Sequence, residues 1–215
     1  KGAILHSTQP VLLSNCSLAT NTMASDAQEA VGSPEYQKDP KKFHQQCYSI
    51  ITEAINNNPF MRIIMDSMKE HGCDVTPDFF KCRPCPIKTG GFYDSKLGIV
   101  ICENQIAFKA TIEDTLMHEL VHAYDVCRAE IDTTDCLHVA CTEIRAANLS
   151  GECNWTREIS RGQFKFQKQY PACVKRRAEA TLRNHPQCAQ RAPEYIEAAW
   201  RSCYRDTSPL GFVPL

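Results

Sequence analysis

The sequence predicts an α+β fold: a small antiparallel sheet packed on an H-E-x-x-H helix and a following glutamate-bearing helix, with a disulfide-tied helical C-terminal region. Three observations carry this. Gly90–Glu103 (GGFYDSKLGIVICE) reads as a β-hairpin, with Phe92-Tyr93 and Leu97–Cys102 as strands around an Asp94-Ser95-Lys96 turn. Two segments then place apolar residues at helical spacing, from about Phe108 to Arg128 and from Cys136 to Leu149. Finally, the chain holds 13 cysteines, and Cys173, Cys188 and Cys203 recur at equal spacing through a region of helical pattern. Disulfides in an oxidising compartment explain that load better than a reduced cytosolic protein does. The odd count leaves at least one thiol without a partner in the chain, and spacing alone does not give the connectivity.

At 215 residues the chain suits one domain with ends. We expect a disordered segment over 1–40, a single folded domain over 41–206 and a tail over 207–215. Residues 1–22 contain one Lys, no acid and no apolar run of signal-peptide length, and Met23 reads as an alternative start. A net charge of −1 speaks against a nucleic-acid-binding protein, which is usually basic. Charge is uneven, however: Asn154–Asp206 carries 11 Lys/Arg against 5 Asp/Glu, net +6, leaving −7 elsewhere. A solvated helical face explains this; an acidic partner or anionic membrane surface is the sharper reading. No apolar run approaches bilayer-spanning length, so any membrane association is expected to be peripheral.

Within the domain, Lys41–Asn57 sets Phe43, Cys47, Ile50, Ile51 and Ala54 on one helical stripe. Pro59 opens a second helix reaching His71, and Gly72 stops it. Val75–Lys81 reads as extended, and the Pro-flanked Cys82-Arg-Pro-Cys85-Pro as irregular; its cysteines are expected to be structural rather than a redox pair or half a zinc knuckle. The hairpin's last strand offers an edge to which an extended peptide could add, unless it is buried with no free edge. Asp132, Thr133, Thr134 or Asp135 should cap the helix beginning at Cys136, and Gly151 should end it. Further helices are expected near Gly162–Tyr170, Cys173–Asn184 and Pro193–Cys203, punctuated by Pro171, Pro186 and Pro193.

The chemistry lies in TLMHELVHAYD, Thr115–Asp125. His118 and His122, four apart on a helix, project from one face and can bind one zinc, with Glu119 beside a metal-bound water. With 7 His in the chain, the motif arises by chance in about one or two such sequences per hundred. Ile112, Leu116, Leu120, Ala123 and Cys127 form an apolar stripe that packs the helix into a core. A catalytic zinc needs a third protein ligand. The continuation H-E-x-x-H-x-x-G-x-x-H fails, because 125 is Asp and 128 is Arg. Glu143 on the next helix is the candidate, with Ala140 and Ala147 on its stripe allowing close approach, and His138 is the competitor. Asp125 is placed to orient an imidazole rather than to ligate. Tyr124 and His138 are candidate donors to the transition state.

Together, H-E-L-V-H-A-Y-D, C-x-E-I-R-A-A-N-L-S-G-E-C over 141–153, the Gly-Gly-Phe-Tyr…Gly-Ile-Val-Ile-Cys hairpin and the abundant cysteines resemble the ATP-twenty-three family of mitochondrial inner-membrane metalloproteases, over about 41–206. The resemblance implies a zincin-like zinc endopeptidase, peripheral to the inner membrane on its intermembrane-space side. It implies maturation of the ATP synthase subunit six precursor, a chaperone-like role in assembling the membrane sector, and turnover of intermembrane-space lipid-transfer proteins. An oxidising import route would account for the cysteines. Two rival readings are a non-proteolytic assembly chaperone and a nuclear or cytosolic H-E-x-x-H protease.

Overall fold

The computed structural model describes residues 32–105, 109–164 and 167–214. Residues 1–31, most of the segment expected to be unstructured, lie outside that description, as does Cys16. Within the remainder of that segment, Ser33 caps a short helix, α1 (Pro34–Lys38). Asp39 accepts the Lys42 N–H and Pro40 occupies the first turn of α2 (Pro40–Asn57), which buries Cys47, Ile50, Ile51 and Ala54. Asn58 caps α3 (Pro59–Glu70) in the same way. Gly72, at φ +86°, turns the chain out of it.

A three-stranded sheet follows: β1 (Phe80–Arg83), β2 (Gly91–Asp94) and β3 (Gly98–Cys102), in the order β1-β3-β2. The hairpin forms as expected, with Asp94 Oδ1 accepting the N–H groups of Lys96 and Leu97 in its turn. Gly98 is obligatory there. It sits at φ +79°, and a Cβ would lie 2.2 Å from the Phe79 carbonyl oxygen. Two expectations fail. The sheet is mixed, because β1 pairs parallel to β3 (Phe80 opposite Ile99), and Cys82-Arg83 belongs to that strand instead of an irregular loop. The β3 strand is therefore central, buried at all five residues, and has no edge for a peptide. The strand bordering the motif helix as an edge is β2.

Lys109–Arg128 forms α4 and Cys136–Leu149 forms α5, the latter capped by Asp135. Leu116, Leu120, Val121 and Ala123 bury α4 in a core shared with α2, α3, β1 and β3. Close seating on β2 depends on Gly91, where a Cβ would stand 2.9 Å from Thr115 Cγ2. The α5 helix divides two cores: Ala146 and Leu149 enter the first, whereas Ala140, Ile144 and Ala147 pack with α7 (Gln169–Leu182) and α8 (Ala192–Cys203). Ala140 and Ala147 thus ease the approach of the C-terminal helices, not of the motif helix. The helix expected near Gly162–Tyr170 is instead α6 (Trp155–Ser160), capped by Asn154, with Gly162 at φ +74° in the turn beyond it. Pro171 lies inside the first turn of α7 rather than before it, a position where its missing N–H has no helical partner to lose.

Six disulfides join the twelve cysteines of the described residues: Cys47–Cys82, Cys73–Cys127, Cys85–Cys102, Cys136–Cys188, Cys141–Cys203 and Cys153–Cys173. The last three tie the C-terminal helical region to α5 and the turn after it, the role expected of Cys173, Cys188 and Cys203. Both cysteines of the C-x-x-C pair are structural.

The segment read as a tail is bound to the domain. Leu210 is buried, and Phe212 meets Phe60 edge-on at 5.6 Å. Arg145, 1% exposed, donates through Nε to both Asp125 oxygens (2.9 and 3.0 Å), through Nη1 to the carboxylate and carbonyl of Asp206, and through Nη2 to the Ser208 carbonyl. Removing one partner of such a pair strands the other charge, at about 3–5 kcal/mol. Arg145→Met should therefore lower the melting temperature by about 6–20 °C, at about 2–4 °C per kcal/mol for a domain of this size. Adding Asp125→Leu should restore part of the loss; a single variant melting like wild type would show that the network contributes nothing.

Candidate metal centre

The i, i+4 spacing puts both motif imidazoles on one face of α4, with Nε2 of His118 and Nε2 of His122 3.1 Å apart. Glu143, buried on α5, brings its carboxylate to them: Oε2 is 3.7 Å from His118 Nε2, and Oε1 is 3.6 Å from His122 Nε2. Glu143 Oε2 is buried without a hydrogen-bond partner. A buried carboxylate oxygen left unpaired is costly unless a cation satisfies it. Donors bound at about 2.0–2.2 Å round a tetrahedral ion stand about 3.3–3.6 Å apart, close to the separations here. The three side chains could hold one divalent ion, and two nitrogens with a carboxylate suit zinc.

The charges around the cluster act on one another. Burial disfavours the His118 imidazolium, but Glu143 and Glu152 outweigh it and raise its pKa well above the usual value. Burial likewise opposes Glu143 ionisation, and His122 and His118 overcome it, lowering its pKa. Glu119 goes the other way: burial pushes its carboxyl up, against the pull of His118, His122 and the Tyr93 backbone N–H it accepts.

His138 is removed from the cluster. Its ring is 47% exposed and accepts the Asp132 N–H through Nδ1 at 3.1 Å. Tyr124 is buried in the first core, edge-on to His71 and beneath the Arg128 guanidinium. Asp125, expected to orient an imidazole, spends its carboxylate on Arg145 and Arg128. The carboxylate against an imidazole is Glu152, whose Oε1 lies 3.2 Å from His118 Nδ1 while Oε2 accepts Arg177 Nε at 2.6 Å. Burial would raise the Glu152 carboxyl, yet His118 and Arg177 hold it down at about 2. Nothing local marks Glu152 in the sequence; it lies 34 residues from His118.

Two histidines and a glutamate converging beside the glutamate of an H-E-x-x-H helix are the equipment of a metal-dependent peptidase. Residues 45–211 match the Peptidase M76 family, and the chain belongs to it. The match runs through the Thr207–Gly211 segment, which the bonds of Arg145 anchor. Similar proteins include the mitochondrial inner membrane protease atp23 of Neosartorya fischeri, 43% identical over 157 residues, covering 71% of this chain and 66% of that protein. The protein of that name from Coccidioides immitis is 37% identical over 195 residues, covering 89% and 82%. The Schizosaccharomyces pombe protein is 33% identical over 179 residues, covering 80% and 97%. The chain thus spans about two thirds of the first relative's length. No solved structure matches it.

Proposed function

We propose that this chain is a zinc metalloendopeptidase of the mitochondrial intermembrane space, peripheral to the inner membrane, acting on the ATP synthase subunit six precursor and assisting assembly of the membrane sector. The observation that carries the catalytic reading is the convergence of His118, His122 and Glu143 with a buried, unpaired Glu143 oxygen beside Glu119. The relatives' names, inner membrane proteases, support the location. Among the described residues no helix is long and apolar enough to cross a membrane.

His118, His122 and Glu143 would hold the ion in a zincin-like arrangement. When bound there, zinc acidifies a water and polarises the scissile carbonyl. Glu119 would take the water's proton and pass it to the leaving amine nitrogen. The substrate would lie extended along β2, the edge strand that packs on α4. This replaces β3 as the strand that receives the peptide.

Purified protein should contain one zinc per chain and cleave the precursor in vitro. A chelator should abolish cleavage, and added zinc should restore it. Cleavage that survives complete metal removal would exclude the reading.

A further inference from the structure

We infer that Glu152 is a positioning residue that fixes the His118 imidazole for metal binding, held in place by Arg177 and the Cys153–Cys173 disulfide. The inference rests on the metal-site reading above. An imidazole can offer a lone pair at only one ring nitrogen, and the group bonded to the other nitrogen decides which. His118 turns Nε2 to the cluster and Nδ1 to Glu152 Oε1 at 3.2 Å. A carboxylate accepts and does not donate, so Glu152 keeps a proton on Nδ1, and with an ion bound it is Nε2, on the side of His122 and Glu143, that is left to offer its lone pair.

Glu152 is built into that place. It is 4% exposed, in the turn that follows α5. Its carbonyl accepts Arg161 Nη1 at 2.5 Å, and the next carbonyl, of Cys153, accepts Gln169 Nε2 at 3.1 Å. Cys153 is bonded to Cys173 on α7, and Arg177 stands one turn further along the same face of that helix. That turn brings Arg177 Nε to Glu152 Oε2 at 2.6 Å. The two carboxylate oxygens are thus divided, one to the ligand and one to α7. An ion pair made only for stability would have no need of the imidazole. The C-terminal helices, which supply no residue to the cluster itself, set the ring through this link, so the state of the disulfide bears on metal affinity.

The test measures zinc affinity by competition with a chromophoric chelator for wild type, Glu152→Gln, Glu152→Ala and Arg177→Ala. Cobalt-substituted spectra and melting curves of the metal-free forms accompany it. Loss of an outer partner of a ligating histidine commonly weakens metal binding about 10–100-fold. Glu152→Ala should show a loss of that size and a shifted cobalt spectrum. Glu152→Gln keeps the shape and an acceptor oxygen, so its loss should be smaller; it serves if the alanine variant does not fold. Arg177→Ala should weaken binding in the same direction. Wild-type affinity and an unchanged cobalt spectrum in folded Glu152→Gln and Glu152→Ala would overturn the inference while leaving the metal site standing. Wild-type protein that binds neither zinc nor cobalt would instead overturn the metal-site reading itself.

Discussion

Glu119→Gln is expected to keep wild-type zinc content and melting temperature while precursor cleavage falls by about 10²–10⁴-fold, the usual worth of a general base. The substitution nearly preserves the side chain's shape. It also leaves His118, His122 and Glu143 in place. An amide, however, does not take up a proton at neutral pH. His118→Ala should behave differently, losing metal and cleavage together. Measuring assembled ATP synthase in cells carrying each variant separates peptidase from chaperone. If the proposed assembly role is independent of cleavage, Glu119→Gln should support assembly with the precursor left uncut. Full cleavage by Glu119→Gln would mean that the motif is not the catalytic centre. Failed assembly with a folded, zinc-loaded protein would tie assembly to proteolysis.

Complete reduction is expected to unfold the domain under conditions where the oxidised protein is stable. Each disulfide removed from a small domain commonly costs about 2–5 kcal/mol. Six together, at about 12–30 kcal/mol, match or exceed the about 5–15 kcal/mol of net stability that a domain usually has. The cross-links are spread for effect. Cys47–Cys82 joins α2 to β1, and Cys73–Cys127 joins the end of α3 to the end of α4. Cys85–Cys102 closes the loop after β1 onto the end of β3. The remaining three join the second core, whose buried side chains include many small alanines and cysteines, to α5 and the turn after it. Circular dichroism melts with and without a dithiol reductant, with thiols titrated in denaturant, test this. The oxidised protein should show no more than one free thiol of its 13. A fully reduced chain with an unchanged melting temperature would show that the disulfides are dispensable.

Much of this was legible in the sequence, because the signals involved act over a few residues. Asp135, in the stretch expected to cap the helix from Cys136, does so because a short side-chain acceptor reaches its own neighbouring N–H groups. His118 and His122 share a face because a helix repeats every 3.6 residues, whatever surrounds it. The hairpin followed from its turn and apolar strand. Beyond that range, packing decided. Whether Glu143 or His138 faces the histidines depended on which side of α5 lies against α4, and α5 is apolar on two faces because it serves two cores. The central position of β3 was settled by the parallel pairing of β1, across 19 residues that carry no local sign of it. Asp125 was drawn away from the imidazoles by Arg145, buried on the next helix, while Glu152 reached His118 from the far end of that helix. The sequence by itself thus determined most of the helices, the hairpin, the cap of α5 and the pair of histidines. Only the tertiary structure decided which distant carboxylates complete the site, since a contact between residues far apart in the chain depends on which faces bury each other.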